Sequence, residues 1–227
     1  MSFLDDMIDD SGYMKHVDQN TLAWEKIRVG RFTSSEMWRL LTPPKSKEAK
    51  EAGKLSETAL SYINVKVAET LTGQQKTTSY AYPLVYGKEQ EPIAIEAFCG
   101  KKDFKWEEIG FVAFGEYAGG SPDGLINETD ILEVKCPWAI ETQLDYLMLT
   151  DQWDLKRLKP EYYWQCMSNL LFTMKDKCHF VSFDDRYPDD KKIVHLEIKP
   201  VSEDFQKITE AIEKAVKAKL EILNLLT

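Results

Sequence analysis

The chain has 227 residues, 43% hydrophobic and 30% charged, which is enough for one well-cored domain and ordinary for a globular protein. A formal charge of −9, from 38 acidic and 29 basic residues, argues against a general polyanion binder, so any nucleic-acid path must be positive only locally. The four cysteines form no Cys-x-x-Cys pair, which speaks against the common zinc and disulfide frameworks, and no run approaches the roughly 20 apolar residues of a membrane span.

Residues 1–20 read as an acidic lead-in with at most a short helix, and the MSFLDDMIDD start lacks the apolar run of a signal peptide. The expectation is a cytoplasmic protein. Thr21–Val29 reads as a helix ended by Gly30, and Thr33-Ser34-Ser35-Glu36 has the capping-box form that opens a helix through Leu41. Pro43-Pro44 stops that helix, and 45–54 reads as a polar, lysine-rich loop. Leu55–Leu71 repeats apolar residues at helical spacing before Gly73, and Tyr82–Phe98 reads as a helix interrupted at Pro92. A β-meander follows over Phe104–Trp106, Gly110–Phe114, Gly119–Leu125 and Ile131–Lys135, with Asn127–Asp130 as a tight turn. Helices resume at Trp138–Leu149 and Glu161–Thr173. Strands are expected at His179–Phe183 and Ile193–Ile198. Ser202 opens a last amphipathic helix with Phe205, Ile208, Ile212, Val216 and Leu220 as its apolar stripe. The order predicts one α/β domain over 1–227, with a helical part (21–100), a sheet-and-helix part (104–200) and a C-terminal helix (201–227), built on a central mixed sheet flanked by helices.

The segment SPDGLINETDILEVKCP (121–137) is the most informative in the chain. Alternation along a strand puts Glu133 and Lys135 on one face, and a hairpin register brings Asp123 beside them. Two carboxylates and an amine in one place suit Mg²⁺-dependent phosphodiester hydrolysis, with the Val134 carbonyl as a further ligand and the lysine beside the attacking water. The same residues also suit a solvated hairpin face with a weak ion pair. Ile131, Leu132, Val134 and Cys136 favour a buried strand, where unpaired charge is expensive and a cation relieves the carboxylate excess.

Other candidates carry a plainer reading beside the functional one. Glu91, in an apolar setting next to Pro92, either faces solvent or reaches the metal from a helix packed over the sheet. The helix start at Thr33 and Ser35, with Arg28 close in sequence, is either a simple cap or a phosphate site offering unpaired N–H groups, hydroxyls and a guanidinium fork. Gln165, in YYWQC, either satisfies buried backbone or hydrogen-bonds near the metal. Lys45, Lys47, Lys50 and Lys54 form a solvated loop or touch DNA backbone. His16, His179 and His195 show no ligand spacing and receive no role.

SPDGL…LEVKCP, together with W-x₃-R-x-G-x₂-T-x-S-E and G-x₃-E-P, resembles the phage lambda exonuclease and YqaJ-type viral recombinase family, from about Trp24 through the last helix. The resemblance implies a restriction-endonuclease-like PD-(D/E)XK nuclease core. It also implies a Mg²⁺-dependent exonuclease of phage or prophage recombination that degrades one strand of duplex DNA from its 5′ end. Two Mg²⁺ ions are implied, replaceable by Mn²⁺, and the expected partners are double-stranded DNA ends, a phage single-strand annealing protein and two further copies in a trimeric ring. By position, Asp123, Glu133 and the Val134 carbonyl become metal ligands, Glu91 completes the centre and Lys135 orients the water. Arg28, Thr33, Ser35 and Ser121 bind the 5′ phosphate, and Lys45 falls in a loop that enters the DNA path. After Gln165 the helix reads CMSNLLF, where the family often carries a second Gln. Two rivals remain: a structure-specific or restriction-type endonuclease of the same fold, and a DNA-end binding protein without activity, against which the intact Asp123, Glu133 and Lys135 speak.

Overall fold

The structure is a computed structural model that describes residues 18–76 and 82–226; the expected acidic lead-in lies almost wholly outside them. The described elements, in chain order, are α1 (Leu22–Arg28), β1 (Phe32–Thr33), a 3₁₀ turn (Ser34–Glu36), α2 (Met37–Leu41), α3 (Lys47–Glu51), α4 (Glu57–Thr72) and α5 (Tyr82–Lys102). The short strands β2 (Trp106–Glu107), β3 (Val112–Phe114), β4 (Ala118–Gly120) and β5 (Gly124–Ile126) lead into β6 (Asp130–Lys135). Then come α6 (Thr142–Leu147), α7 (Gln152–Leu158), α8 (Pro160–Thr173), β7 (Cys178–Phe183), β8 (Ile193–Ile198) and α9 (Ser202–Leu226).

The strands form two sheets rather than one meander. A five-stranded mixed sheet runs β2-β5-β6-β7-β8, and a three-stranded sheet runs β1-β4-β3. The expected strand Gly119–Leu125 is therefore two strands, broken at Ser121–Asp123, with one half in each sheet. β5 and β6 form the hairpin read from the sequence, with Gly124 opposite Leu132 and Ile126 opposite Asp130. Asn127 and Glu128 both take positive φ in its turn (50° and 66°), which closes it tightly. β6 pairs in parallel with β7, so α6, α7 and α8 make the crossover between them.

Alternation then assigns the two faces of the central sheet. Ile131, Cys178, Phe180, Leu196 and Ile198 pack toward α8, α4 and α9 in the larger core. Leu132, Val134, Val181 and Phe183 pack on the other face, against Ala94, Ile95 and Phe98 of α5. α8 is buried nearly all round, so it is the central helix of the fold. In α9, Ile208, Ile212 and Val216 are buried as expected, but Leu220 is about a third exposed and Lys219 is buried in its place.

Other departures have local causes. The capping box does not form: Thr33 makes no side-chain cap bond, and the first turn is 3₁₀. Both ends of the box have other partners. The Thr33 N–H donates to Tyr62 Oη (2.9 Å), and Glu36 accepts from Arg39 (2.9 Å). Pro92 does not interrupt α5, which runs through it; its ring faces solvent, where water can take the place of the lost helical donor. The 45–54 loop holds a short helix, α3, capped by the Ser46 hydroxyl on the Ala49 N–H (3.1 Å). The expected helix Trp138–Leu149 begins only at Thr142, and α7, capped by Asp151, was not anticipated.

Candidate active site

β6 is the middle strand of its sheet, and this decides the environment of its charges. Glu133 is fully buried, whereas Lys135 and Asp123 are only partly so. Lys135 Nζ donates to Glu133 Oε1 (2.5 Å), as two residues on one strand face should. Asp123 joins them from the break before β5: its Oδ2 accepts the Val134 N–H at 2.6 Å. Gly124 follows because the Trp106 indole occupies the space of a side chain, with a Cβ there falling 1.9 Å from Nε1. That indole N–H donates to the Asp123 carbonyl (3.0 Å) and fixes the strand break.

Two other elements close on this strand. From α8, Asn169 Nδ2 donates to the second oxygen of Glu133 (3.2 Å), and the Tyr162 ring lies 5.1 Å from the Lys135 ammonium. Neither residue was singled out in the sequence. Helical spacing around Gln165, seven residues from Tyr162 to Asn169, is the signal that could have found them. Gln165 is buried on the same helix. From α5, Glu91 faces Asp123 across a cleft of about 390 Å³ that also has Trp106 and Glu108 in its wall. Gln19 tethers the start of the described chain there by donating to the carbonyls of Ile109 (2.9 Å) and Pro122 (2.8 Å).

The electrostatics follow from this crowding. Burial pushes the Glu133 carboxyl up to about 8; the Lys135 ammonium pulls it back, while Asp123 and Glu91 add repulsion. Burial raises Glu91 to about 7, with Asp123 adding to the rise and Lys135 opposing it. Asp123 is also raised by burial, against the pull of Lys135 and the Val134 N–H. Burial disfavours the Lys135 ammonium, but Glu133 and Asp123 together outweigh it and hold its pKa above the ordinary value. Three carboxyls thus share one ammonium, and burial holds each back from ionising further than that one ammonium can offset. A hard divalent cation is what such an oxygen-donor set accepts, so the residues fit a Mg²⁺ or Mn²⁺ centre. Val134 is buried, with its N–H donated to Asp123.

A second polar cluster lies where β1 runs parallel to β4, with Thr33 opposite Gly119. This pairing sets Thr33 and Ser35, whose hydroxyls are 3.4 Å apart, beside the strand that ends just before Ser121. Trp24 links the remaining candidates: its indole N–H donates to Ser121 Oγ (2.9 Å), and the Arg28 guanidinium stacks over its ring at 3.9 Å. Arg28 Nε is buried with no hydrogen-bond partner, and burial lowers the Arg28 pKa, partly offset by Tyr62 and Glu69. Lys66 adds a second buried cation, paired with Glu69 (2.9 Å), and Tyr62 supplies its hydroxyl to Thr33. The pocket is therefore short of anion where the β6 centre is short of cation. Lys66 and Tyr62 were missed because they come from α4, far from the Arg28 motif in sequence. Lys45 is exposed between Pro44 and α3, outside both clusters; Lys50 and Lys54 instead line a separate cleft with Lys207 and Lys214.

Among the described residues no helix is long and apolar enough to cross a membrane. No curated protein matches the sequence. Among solved structures, an alkaline exonuclease from Laribacter hongkongensis superimposes with a TM-score of 0.76 at 24% identity, over 91% of this chain and 96% of that one. The same enzyme in complex with dAMP gives 0.75 at 25% identity, over 91% and 96%. A phage-related exonuclease from Haemophilus somnus 129PT gives 0.72 at 20% identity, over 87% and 96%. The pattern of the YqaJ-like viral recombinase domain matches residues 23–176, most of the chain and both polar clusters, and the chain belongs to that family.

Proposed function

We propose that this chain is a divalent-metal-dependent deoxyribonuclease of the PD-(D/E)XK type that resects one strand of duplex DNA from the 5′ end and serves phage or prophage recombination in the bacterial cytoplasm. The observation that carries the reading is the Asp123–Glu133–Lys135 cluster at the central strand, with Glu91 facing it across an open cleft. Asp123, Glu133, Glu91 and the Val134 carbonyl hold two Mg²⁺ ions, for which Mn²⁺ can substitute. Bound there, the cations neutralise charge at the scissile phosphate and make the attacking water more acidic.

The protein's own groups do the positioning. Asn169 fixes one oxygen of Glu133 and Lys135 the other. Lys135, hydrogen-bonded to Glu133, donates to and orients the attacking water. Gln165 adds a hydrogen bond from the same buried helix. Attack of water on phosphorus breaks the bond to the 3′ oxygen, releases a 5′-mononucleotide and leaves a new 5′ phosphate on the shortened strand. Arg28, Thr33, Ser35 and Ser121 receive that phosphate, and the unpartnered Arg28 Nε supports this assignment. Each turnover thus regenerates the group that the pocket binds. Lys45 contacts the DNA backbone, a trimeric ring retains the duplex, and a single-strand annealing protein takes the 3′ strand.

The deciding assay uses linear duplex labelled at each end in turn, incubated with Mg²⁺, beside a closed circular duplex. Loss of label from the 5′ end as mononucleotide, with the circle intact, is expected. Nicking or cutting of the circle would replace this reading with an endonuclease, and inactivity on every substrate would leave only a DNA-end binding protein.

A further inference from the structure

The other face of the central sheet carries a polar cluster that the nuclease reading does not use. β7 and β8 are antiparallel, with His179 opposite Glu197 and Val181 opposite His195, so the two histidines are diagonal neighbours on one face. His179 is fully buried, its ring 5.1 Å from that of Phe104 and stacked on His195 at 5.1 Å. Its Nε2 lies 3.0 Å from Asp130 Oδ2, and its Nδ1 lies 2.9 Å from His195 Nε2.

The proton positions follow from the partners. A carboxylate only accepts, so His179 carries its proton on Nε2 and turns the lone pair of Nδ1 toward His195. Burial disfavours the charged form of both imidazoles. As it stands, one proton on His195 Nε2 bridges the two nitrogens. If that proton moves to His195 Nδ1, two ring lone pairs converge, and the Glu197 carboxylate completes a set whose ligand atoms all lie within 4.8 Å of one another.

We propose that His179, His195 and Glu197 bind a transition-metal cation of the Zn²⁺ class, with Asp130 orienting His179 from behind. Two nitrogens at the usual zinc distance of about 2.0–2.1 Å in tetrahedral geometry sit roughly 3.3 Å apart, so opening the present 2.9 Å contact by a few tenths of an ångström suffices. A carboxylate on the outer nitrogen of a ligating histidine is the arrangement that fixes its tautomer and raises its basicity. Two imidazoles select Zn²⁺, Co²⁺ or Ni²⁺ over Mg²⁺, so this site and the oxygen-rich centre on the opposite face take different ions. Lys177 now holds Glu197 (3.0 Å) and lies 3.7 Å from Asp130; on metal binding it gives up Glu197 and keeps Asp130. The metal would clip β7 to β8 and, through Asp130, brace the strand that bears Glu133 and Lys135.

The test is a Co²⁺ titration of the full chain in excess Mg²⁺, read by the visible absorption of tetrahedral Co²⁺. One equivalent is expected to bind, to resist Mg²⁺ and to be displaced by Zn²⁺. His195→Ala and Glu197→Ala should each weaken binding at least about tenfold, Asp130→Asn about 10–100-fold, and Lys177→Met should strengthen it. Glu197 is exposed, so Glu197→Ala decides the matter even if His195→Ala fails to fold. Absence of the band, or a band unchanged by Glu197→Ala, overturns the site. Cleavage with Mg²⁺ alone is measured separately, so failure here leaves the nuclease reading intact.

Discussion

The β6 centre and the Arg28 pocket bury charge in opposite senses. Around β6, Asp123, Glu133 and Glu91 share Lys135, and their carboxyls are pushed toward neutrality. Around β1 and β4, Arg28 and Lys66 share Glu69, and burial lowers the pKa of both cations. An unpaired buried charge is costly in either sign, so neither arrangement is explained by the stability of the isolated chain. One cluster lacks a cation and the other lacks an anion. A metal-bound DNA end, the substrate proposed above, would supply both. The two are also joined: a Cβ on Gly120, the last residue of β4, would meet Asn169 Oδ1 at 2.2 Å and Ser34 Oγ at 2.7 Å, touching the support of each site at once.

The largest effect should come from removing the anionic side. Asp123→Ala or Lys135→Ala should lower nucleotide release by at least about 10²-fold, the scale of losing one preorganised polar group, while the melting profile stays cooperative. Retained turnover would dissolve the proposed centre. Gly120→Ala tests the link, since two close contacts must give way together; a lower melting temperature and loss of both cleavage and 5′-phosphate preference are expected. Damage to only one of these activities would show the sites to be independent. On the cationic side, Arg28→Ala removes hydrogen bonds to a charged group worth about 1.5–3 kcal/mol, so the preference for 5′-phosphoryl over 5′-hydroxyl ends should fall about tenfold or more. An unchanged ratio would take Arg28 out of the pocket.

The smallest effect is on pH dependence, and its sign distinguishes the two regions. Glu91 and Glu133 have folded pKa values of about 7 and about 8, above the ordinary 4.5. Their contribution to stability is therefore complete below about 4.5 and lost as pH rises through 7–8. The metal-free protein should melt at progressively lower temperature across that window, and Mg²⁺ should offset the loss, binding more tightly as the protons leave. A shallower profile in Glu133→Gln would assign that residue's share, the remainder falling to Glu91; a metal-free profile that rises with pH would contradict the crowding of these carboxyls.

Much of the site was legible because it is local. Asp123 and Glu133 lie ten positions apart across a short hairpin, so strand alternation and turn chemistry alone bring Asp123 beside Glu133 and Lys135. Helices with a clear period and a glycine-ended terminus were also readable, such as Leu55–Leu71 before Gly73, which the structure gives as Glu57–Thr72 with Ser56 as its cap. The capping box at Thr33 misled because Tyr62, 29 residues away, offers the Thr33 N–H a partner that sequence inspection does not see. Pro92 misled because its solvent-facing position tolerates the missing donor.

What the sequence by itself determined is the inventory and short-range order: which groups carry charge, which alternate on one strand, and where most helices begin and end. Tertiary structure decided what those groups experience. It split Gly119–Leu125 between two sheets, brought β1 against β4 so that Arg28, Ser35 and Ser121 share a neighbourhood, and set Asn169 on Glu133. It also paired His179 with His195, which show no ligand spacing along the chain. The physical reason is that dielectric environment and unmet hydrogen-bonding demand depend on residues far apart in sequence, so a charge's identity is local while its free energy is not.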